Sequence, residues 1–200
     1  FYDPDSGEIK IDDVNTREMK RAYLRKEFAM VLQDTWLFDG VIRENLTYGK
    51  HNANDDEISK IAQITNDDLY IHALPGDYDK ILNEDAENIS AGEKQLLTIA
   101  RAMLTDPPML ILDEATSNVD TRTEVRIQQA MLRLMKGRTS FVIAHRLSTI
   151  RNADLILVIN HGDIIESGNH ESLLARNGFY ARLYNSQFNE PSEEYWYPLC

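Results

Sequence analysis

The sequence predicts an α/β protein built on a parallel sheet. Apolar runs at residues 28–32, 109–112 and 140–144 alternate with segments of helical periodicity at residues 91–104 and 121–135, a pattern typical of βαβ units. The runs are apolar throughout, as in strands whose two faces are both covered. With 200 residues, 42% of them apolar, the chain is long enough for one domain with a sizeable core.

The first half of the chain predicts two strands followed by a helical insertion. Residues 7–11 alternate as a short strand, and residues 28–32 end at the polar pair Gln33-Asp34. From residue 55 to about residue 88, short helical patterns are interrupted by the break at Pro75-Gly76. We therefore expect a helical subdomain inserted between the first strands and the remaining sheet.

The end of the chain predicts a further strand, a returning edge hairpin and two short helices. These elements lie at residues 155–159, 162–167, 171–176 and 179–186. Residues 189–200 have no periodicity, and we expect them to form a flexible tail.

Charge and composition argue against several classes of function. The 33 acidic and 21 basic residues give a net charge of −12, which repels phosphate backbones and disfavours nucleic-acid binding. No stretch approaches the roughly 18 apolar residues that cross a membrane, and the first residues do not resemble a secretory signal. The lone Cys200 favours a reducing compartment.

The most informative segment is the apolar run at residues 109–112, which stops at two consecutive acids, Asp113 and Glu114. In open parallel sheets, ligands bind outside the carboxyl ends of the strands. Because side chains alternate along a strand, one carboxylate can lie near a hydrated Mg²⁺ while the other faces a reacting water. Taken alone, this segment is explained equally well by a solvated acidic pair at a strand end.

A second segment, Ser90-Ala91-Gly92-Glu93, opens the helix at residues 91–104. Ser90 and Glu93 fit a capping box, in which the hydroxyl and the carboxylate each bind an unpaired backbone N–H. Capping does not require the small pair Ala91-Gly92. Small residues in a first turn let another group approach the free N–H donors, and such a helix start attracts phosphate.

Five motifs in one order resemble the ATP-binding cassette (ABC) family over residues 1–188. This resemblance implies a P-loop NTPase (RecA-like) core with an inserted helical subdomain. It divides the chain into a partial ATP-binding core at residues 1–33 and 96–188, a signature subdomain at residues 34–95 and the tail at residues 189–200. The Q-loop, signature, Walker B, D-loop and switch motifs correspond, in this order, to residues 31–34, 89–95, 109–114, 117–120 and 144–149.

The resemblance implies that two such domains hydrolyse ATP with Mg²⁺. Asp113 would hold Mg²⁺ through its water shell, and Glu114 would be the general base. His145 would contact the γ-phosphate and orient the attacking water, although a lone histidine at a strand end is more often structural. Gln33 would reach both Mg²⁺ and that water.

The remaining implied site residues lie toward the partner domain. The signature segment would bind the γ-phosphate of ATP that the partner holds, so that one chain does not complete a site. Asp120 would organise the dimer interface, although a helix N-cap is an equally good interpretation of this residue. The residues implied to bind the nucleotide are Gln33, Ser90, Ala91, Gly92, Glu93 and Asp120.

Residues 35–45 are similar to multidrug and lipid exporters, in which this region lies against transmembrane coupling helices. The resemblance implies a module at the cytoplasmic face of the cell membrane. Its partners would be a second nucleotide-binding domain, as a homodimer or heterodimer, and the transmembrane domains of the same transporter, with no nucleic acid. A soluble cassette ATPase and a cassette without activity of its own are the alternatives.

The sequence departs from the family in two places. It lacks a P-loop, since its Gly49-Lys50 pair is followed by His51 rather than Ser or Thr. We therefore expect a fragment of a longer ATPase that by itself is inactive and binds ATP poorly. The signature also carries Glu93 in place of glutamine, and its charge repels a nearby triphosphate. A weakened site in an asymmetric heterodimer and an active homodimer are rival hypotheses.

Overall fold

Three parallel strands form the central sheet of the protein. The computed structural model describes residues 2–65, 71–72, 74–113, 119–144 and 147–188. The strands are β1 (Lys10–Ile11), β2 (Val14–Asn15), β3 (Phe28–Val31), β4 (Gly40–Val41), β5 (Ile81–Leu82), β6 (Met109–Asp113), β7 (Thr139–Ile143), β8 (Ile156–Asn160) and β9 (Asp163–Gly168). The helices are α1 (Arg21–Leu24), α2 (Ile42–Thr47), α3 (Asp55–Thr65), α4 (Ala91–Thr105), α5 (Thr121–Met135), α6 (Leu147–Arg151), α7 (His170–Ala175) and α8 (Phe179–Phe188).

The central sheet has the strand order β3-β6-β7 with parallel pairing throughout. Its register places Met30 beside Ile111, and Ile111 beside Phe141. Each connection between neighbouring strands contains a long helix, α4 before β6 and α5 before β7. The predicted α/β class with a parallel sheet is confirmed.

Helix α4 belongs to two hydrophobic clusters. One of its faces packs with α2 and α3 through Leu97, Ala100 and Leu104, and the other packs with the sheet and α5 through Leu96 and Ile99. A helix that is apolar on two faces is buried on both sides. The predicted subdomain boundary at residues 95 and 96 therefore falls inside a helix that both clusters share.

Two predicted elements differ from the structure. The strand at residues 7–11 is reduced to Lys10–Ile11, because Gly7 has φ +75° and makes a bend instead of extended backbone. Within the predicted helical insertion, α3 is present, but Ile81–Leu82 form a strand that pairs with Gly40–Val41. A strand of two residues has too little periodicity to be detected in a sequence.

Residues Ala144–Cys200 form a second unit of the chain. Its described part contains the antiparallel pair β8 and β9, which confirms the predicted hairpin, and a cluster of Val158, Leu173 and Tyr180. The Glu166 carboxylate accepts hydrogen bonds from the backbone N–H groups of Phe179 and Tyr180 at the start of α8. The predicted tail at residues 189–200 lies outside the described residues. Within the described ranges, no helix has the length and apolarity needed to cross a membrane.

Candidate functional site

The carboxyl ends of the central strands carry two of the predicted site residues. Asp113 is the last residue of β6 and is half-buried, and the register places it beside Ile143 of β7. Gln33 follows the end of β3 by two residues and is exposed. Because β3 and β6 are parallel neighbours, their carboxyl ends lie at one edge of the sheet. The topology therefore brings Asp113 and Gln33 to the edge where ligands of open α/β sheets bind.

A groove of about 300 Å³ joins Gln33 to the start of α4. We call it the small groove. Ala91, from the predicted signature segment, and Val119, which lies just before α5, both line this groove. Asp113 is not a lining residue of this groove. The lining residues are Gln33, Asp34, Thr35, Ala91, Lys94, Gln95 and Val119.

The start of α4 has the predicted capping box. The Glu93 N–H donates to Ser90 Oγ over 3.3 Å, and the Ser90 N–H donates to Glu93 Oε2 over 2.7 Å. Both side chains are thus engaged with the backbone of their own helix. The box orders the first turn, in which the small residues Ala91 and Gly92 lie.

Gly92 is buried where α4 crosses the start of α5. A Cβ built on Gly92 would lie 2.4 Å from Thr123 Cγ2 and 3.1 Å from Val119 Cγ1, which is closer than side chains pack. Packing against Thr123 and Val119 therefore explains why glycine occupies this position. The implied contact of Gly92 with a phosphate stays a prediction beside this packing role.

Asp120 is the N-cap of α5, as one of the two sequence interpretations predicts. Its Oδ1 accepts hydrogen bonds from the backbone N–H groups of Arg122 over 3.1 Å and Thr123 over 3.0 Å. A hydrogen bond from the Thr123 side chain, followed by that backbone N–H of Thr123, lowers the pKa of Asp120 below its usual value. The role of Asp120 in a dimer interface stays a prediction.

The lowered pKa of Asp120 gives a prediction for Asp120→Asn. A carboxyl whose pKa is lower in the folded state stabilises the fold above its unfolded pKa, and this contribution is lost as the pH falls through the folded value. We therefore expect the wild type to unfold at a higher temperature than Asp120→Asn at pH 7, and the difference to shrink toward pH 3. Thermal unfolding at several pH values measures it, with the exposed Asp5→Asn as a charge control. A difference that is constant with pH would contradict the assignment.

Two predicted catalytic residues, Glu114 and His145, lie outside the described residues. Their roles stay predictions that rest on the sequence. Within the part of the chain that the structure does describe, no group of three or more His, Cys, Asp or Glu side chains could hold a metal ion.

The structure also contains a larger groove of about 610 Å³, which the sequence did not predict. We call it the large groove. Its lining includes apolar side chains such as Phe28, Leu32 and Trp36, and it also includes the cations Arg25 and Lys26. Asp34 and Thr35 line both grooves. Residues 35–45 supplied the sequence signal for this region, but the lining residues from α4, such as Thr98 and Arg101, were not predicted.

Arg101 of α4 lies in the wall of this large groove. Its guanidinium binds the backbone at Trp36 and Asn45, and it lies 5.6 Å from the ring centroid of Tyr48. Burial lowers the pKa of Arg101, and the nearby Tyr48 acts in the opposite direction. Arginine nevertheless stays charged at neutral pH, so these contacts are charge-assisted.

The fold is shared with known proteins. Residues 1–117 match the ABC transporter family. The chain is 52% identical over 190 residues to an uncharacterised ABC transporter ATP-binding protein, YfiC, of Bacillus subtilis. It is 54% identical over 183 residues to a fatty acid ABC transporter ATP-binding/permease protein of Mycobacterium bovis. A solved bacterial Atm1-family ABC exporter with ATP bound superposes with a TM-score of 0.86 at 40% identity.

These likenesses place the fold in the P-loop NTPase class, as the sequence predicted. The chain belongs to the ABC transporter family, and it is an ATP-binding domain whose relatives are exporter proteins. The matches cover 95%, 92% and 96% of this chain, but only 32%, 29% and 34% of the three relatives. The chain thus spans about a third of the proteins that it matches.

Proposed function

We propose that this chain is the ATP-binding and hydrolysing module of an ABC exporter. Hydrolysis takes place between two such domains and drives export through transmembrane domains on the same polypeptide, at the cytoplasmic face of the cell membrane. Family membership and the exporter relatives support the general class of this proposal. The more specific support is an exposed apolar face of the central sheet, at one end of which Asp113 lies.

Among the described residues, helices α4 and α5 cover one face of the sheet, and the other face, which we call the bare face, exposes large apolar side chains. Val31, Leu110 and Leu112 point toward α4 and α5 and are fully buried. Their neighbours on the opposite face, Met30 and Phe141, are 39% and 55% exposed. Parallel sheets are normally covered on both faces, and a patch of large apolar side chains indicates a binding surface. This bare face therefore has the character of a surface that another segment covers.

Asp113 lies on the bare face. Paired residues of neighbouring strands point to the same side, and Asp113 pairs with Ile143, which is 56% exposed. A segment that covers this face, placed upstream of residue 1, brings its own groups next to Asp113. In our proposal that segment carries the P-loop, and Asp113 would hold Mg²⁺ through its water shell, since carboxylate oxygens are ligands that Mg²⁺ prefers.

When bound, Mg²⁺ would supply positive charge against the charge that develops on the transferred phosphate. The residues of this chain supply the remaining groups. Glu114 takes a proton from the attacking water, Gln33 and His145 orient that water, and the segment Ser90 to Glu93 with Asp120 faces the nucleotide of the partner domain. The position of Gln33 and Asp113 at one edge of the sheet supports the roles of these two residues at one nucleotide.

The large groove gives the proposed transmembrane partner a place to bind. Its lining of apolar and cationic side chains suits an amphipathic helix that carries acidic residues. The groove includes Thr35 and Trp36, which belong to the stretch that is similar to exporters. We therefore propose that a cytoplasmic helix of the transmembrane domains binds here.

Comparing residues 1–200 with the full-length protein tests the proposal. We expect residues 1–200 to bind Mg-ATP at least about 100-fold more weakly, since losing two charge-assisted hydrogen bonds of about 1.5 kcal/mol each has this effect. They should also bind the dye ANS at the bare face, which the full-length protein covers. Calorimetry and dye fluorescence measure the two effects.

Two variants of residues 1–200 serve as controls. Phe141→Ser removes an apolar side chain from the bare face and should lower ANS binding, whereas Leu132→Ser removes an equally exposed side chain from α5 and should change it little. Equal affinity of the short and full-length proteins for Mg-ATP would contradict the proposal.

A further inference from the structure

Arg101 connects α4 to the segment that follows Gln33. Its Nε donates to the Asn45 carbonyl over 2.8 Å, its Nη2 donates to Asn45 Oδ1 over 2.9 Å, and its Nη1 donates to the Trp36 carbonyl over 3.2 Å. Arg101 and Asn45 are 56 positions apart in the chain. These three hydrogen bonds form a planar fork that only arginine provides.

Asn45 is the buried centre of this contact, with 1% of its surface exposed. Its Oδ1 also accepts from the Phe38 N–H over 3.1 Å, and its Nδ2 donates to the carbonyls of Phe38 over 2.9 Å and Val41 over 3.3 Å. One side chain thus holds the turn at residues 38–41 and receives Arg101. We call the contact between the two residues the Arg101–Asn45 bridge. Fully satisfied buried networks of this kind are rigid.

The bridge lies at the large groove, and its two segments continue to the small groove. Arg101 and Trp36 line the large groove, and Gln33 and Ala91 line the small one. Ala91 begins the helix that carries Arg101 about three turns later. The segment from Gln33 to Trp36 and the helix α4 therefore each extend from one groove to the other, and the bridge fixes them together at the large groove.

We propose that Arg101 is a positioning residue, and that the Arg101–Asn45 bridge transmits occupation of the large groove to the groups that face ATP. The inference rests on the proposed function, because it assigns a connection between the two surfaces named there. A helix in the large groove contacts Trp36 and α4 at once. With the bridge intact, Gln33 and the signature turn move as one body; without it, they move independently.

The test uses the full-length protein in membranes and the variant Arg101→Lys. Lysine keeps the charge but lacks the planar fork of three nitrogens with which Arg101 reaches Asn45 and Trp36 at once. We expect kcat for Mg-ATP to fall by about tenfold, a typical size of coupling between sites, and KM to change by less than about twofold, because binding through the upstream segment is unaffected. Asn45→Ala should lower kcat similarly, and the double variant should add little to either single change.

Arg133→Lys is the matched control. Arg133 also donates to a distant backbone carbonyl, that of Ile64, but it does not contact the segment after Gln33. We expect its kcat and KM to equal those of the wild type. If Arg101→Lys also keeps both constants, or if its lower rate only reflects a smaller folded fraction in a circular dichroism measurement, the inference is wrong.

A second measurement needs no variant. In the wild type, hydrogen exchange of the amides at residues 36–45 should slow severalfold when Mg-ATP binds, because the bridge links them to α4. Unchanged exchange in a protein that binds and hydrolyses ATP overturns the inference and leaves the proposed function intact. A wild type without ATP binding or turnover overturns the proposed function itself.

Discussion

Glu114→Gln should lower ATP hydrolysis by the full-length protein by about two to four orders of magnitude, the usual contribution of a general base. Glutamine has the size of glutamate, but its amide cannot take a proton from the attacking water. The loss should appear in kcat, whereas equilibrium binding of Mg-ATP should be kept, because Asp113 and the upstream segment are unchanged. Phosphate release at saturating ATP and calorimetric binding measure the two quantities separately.

Glu171→Gln is the control for this change. Glu171 is an exposed acid in the first turn of α7, so it loses the same charge at a position to which we assign no chemistry. We expect wild-type turnover from it. Turnover of Glu114→Gln near that of the wild type would show that Glu114 is not the base, and the proton would then have to leave by another group.

The parallel sheet and the long helices could be predicted from the sequence because their signals are local. The run at residues 109–112 is apolar on both faces, as buried strands are, and Ser90 with Glu93 marks the start of α4. The strand pair of Gly40–Val41 and Ile81–Leu82 could not be predicted, since two residues carry no period.

The site was predictable in its residue types but not in its contacts. Asp120 was recognised as both a site residue and an N-cap, and the structure confirms the cap. The Arg101–Asn45 bridge was not predicted, because its members are distant in the chain and each looks ordinary in its own segment. The exposure of individual strand side chains could not be predicted either. Phe141 and Val142 are both apolar, yet they lie on opposite faces of β7, of which only one is covered.

Gly92→Ala should destabilise the protein, although alanine is the better helix former. Its Cβ would lie 2.4 Å from Thr123 Cγ2, and overpacking of this kind costs about 1–3 kcal/mol. Alanine offsets about 1 kcal/mol of this through its helix propensity. We therefore expect a net loss of up to about 2 kcal/mol in the free energy of unfolding, measured by urea denaturation.

Thr123→Ser separates packing from phosphate binding at Gly92. Serine removes the methyl group that the new Cβ meets and keeps the hydroxyl that bonds Asp120. The double variant should regain wild-type stability, because the contact is relieved and the helix propensity of alanine is kept. If Gly92 also contacts the nucleotide that the partner domain holds, ATP turnover should be below the wild-type value in this stable double variant, because the alanine Cβ still crowds the first-turn N–H donors.

Full recovery of turnover together with stability would assign Gly92 to packing alone. Failure to regain stability would mean that Val119, 3.1 Å from the same Cβ, sets the limit on residue size.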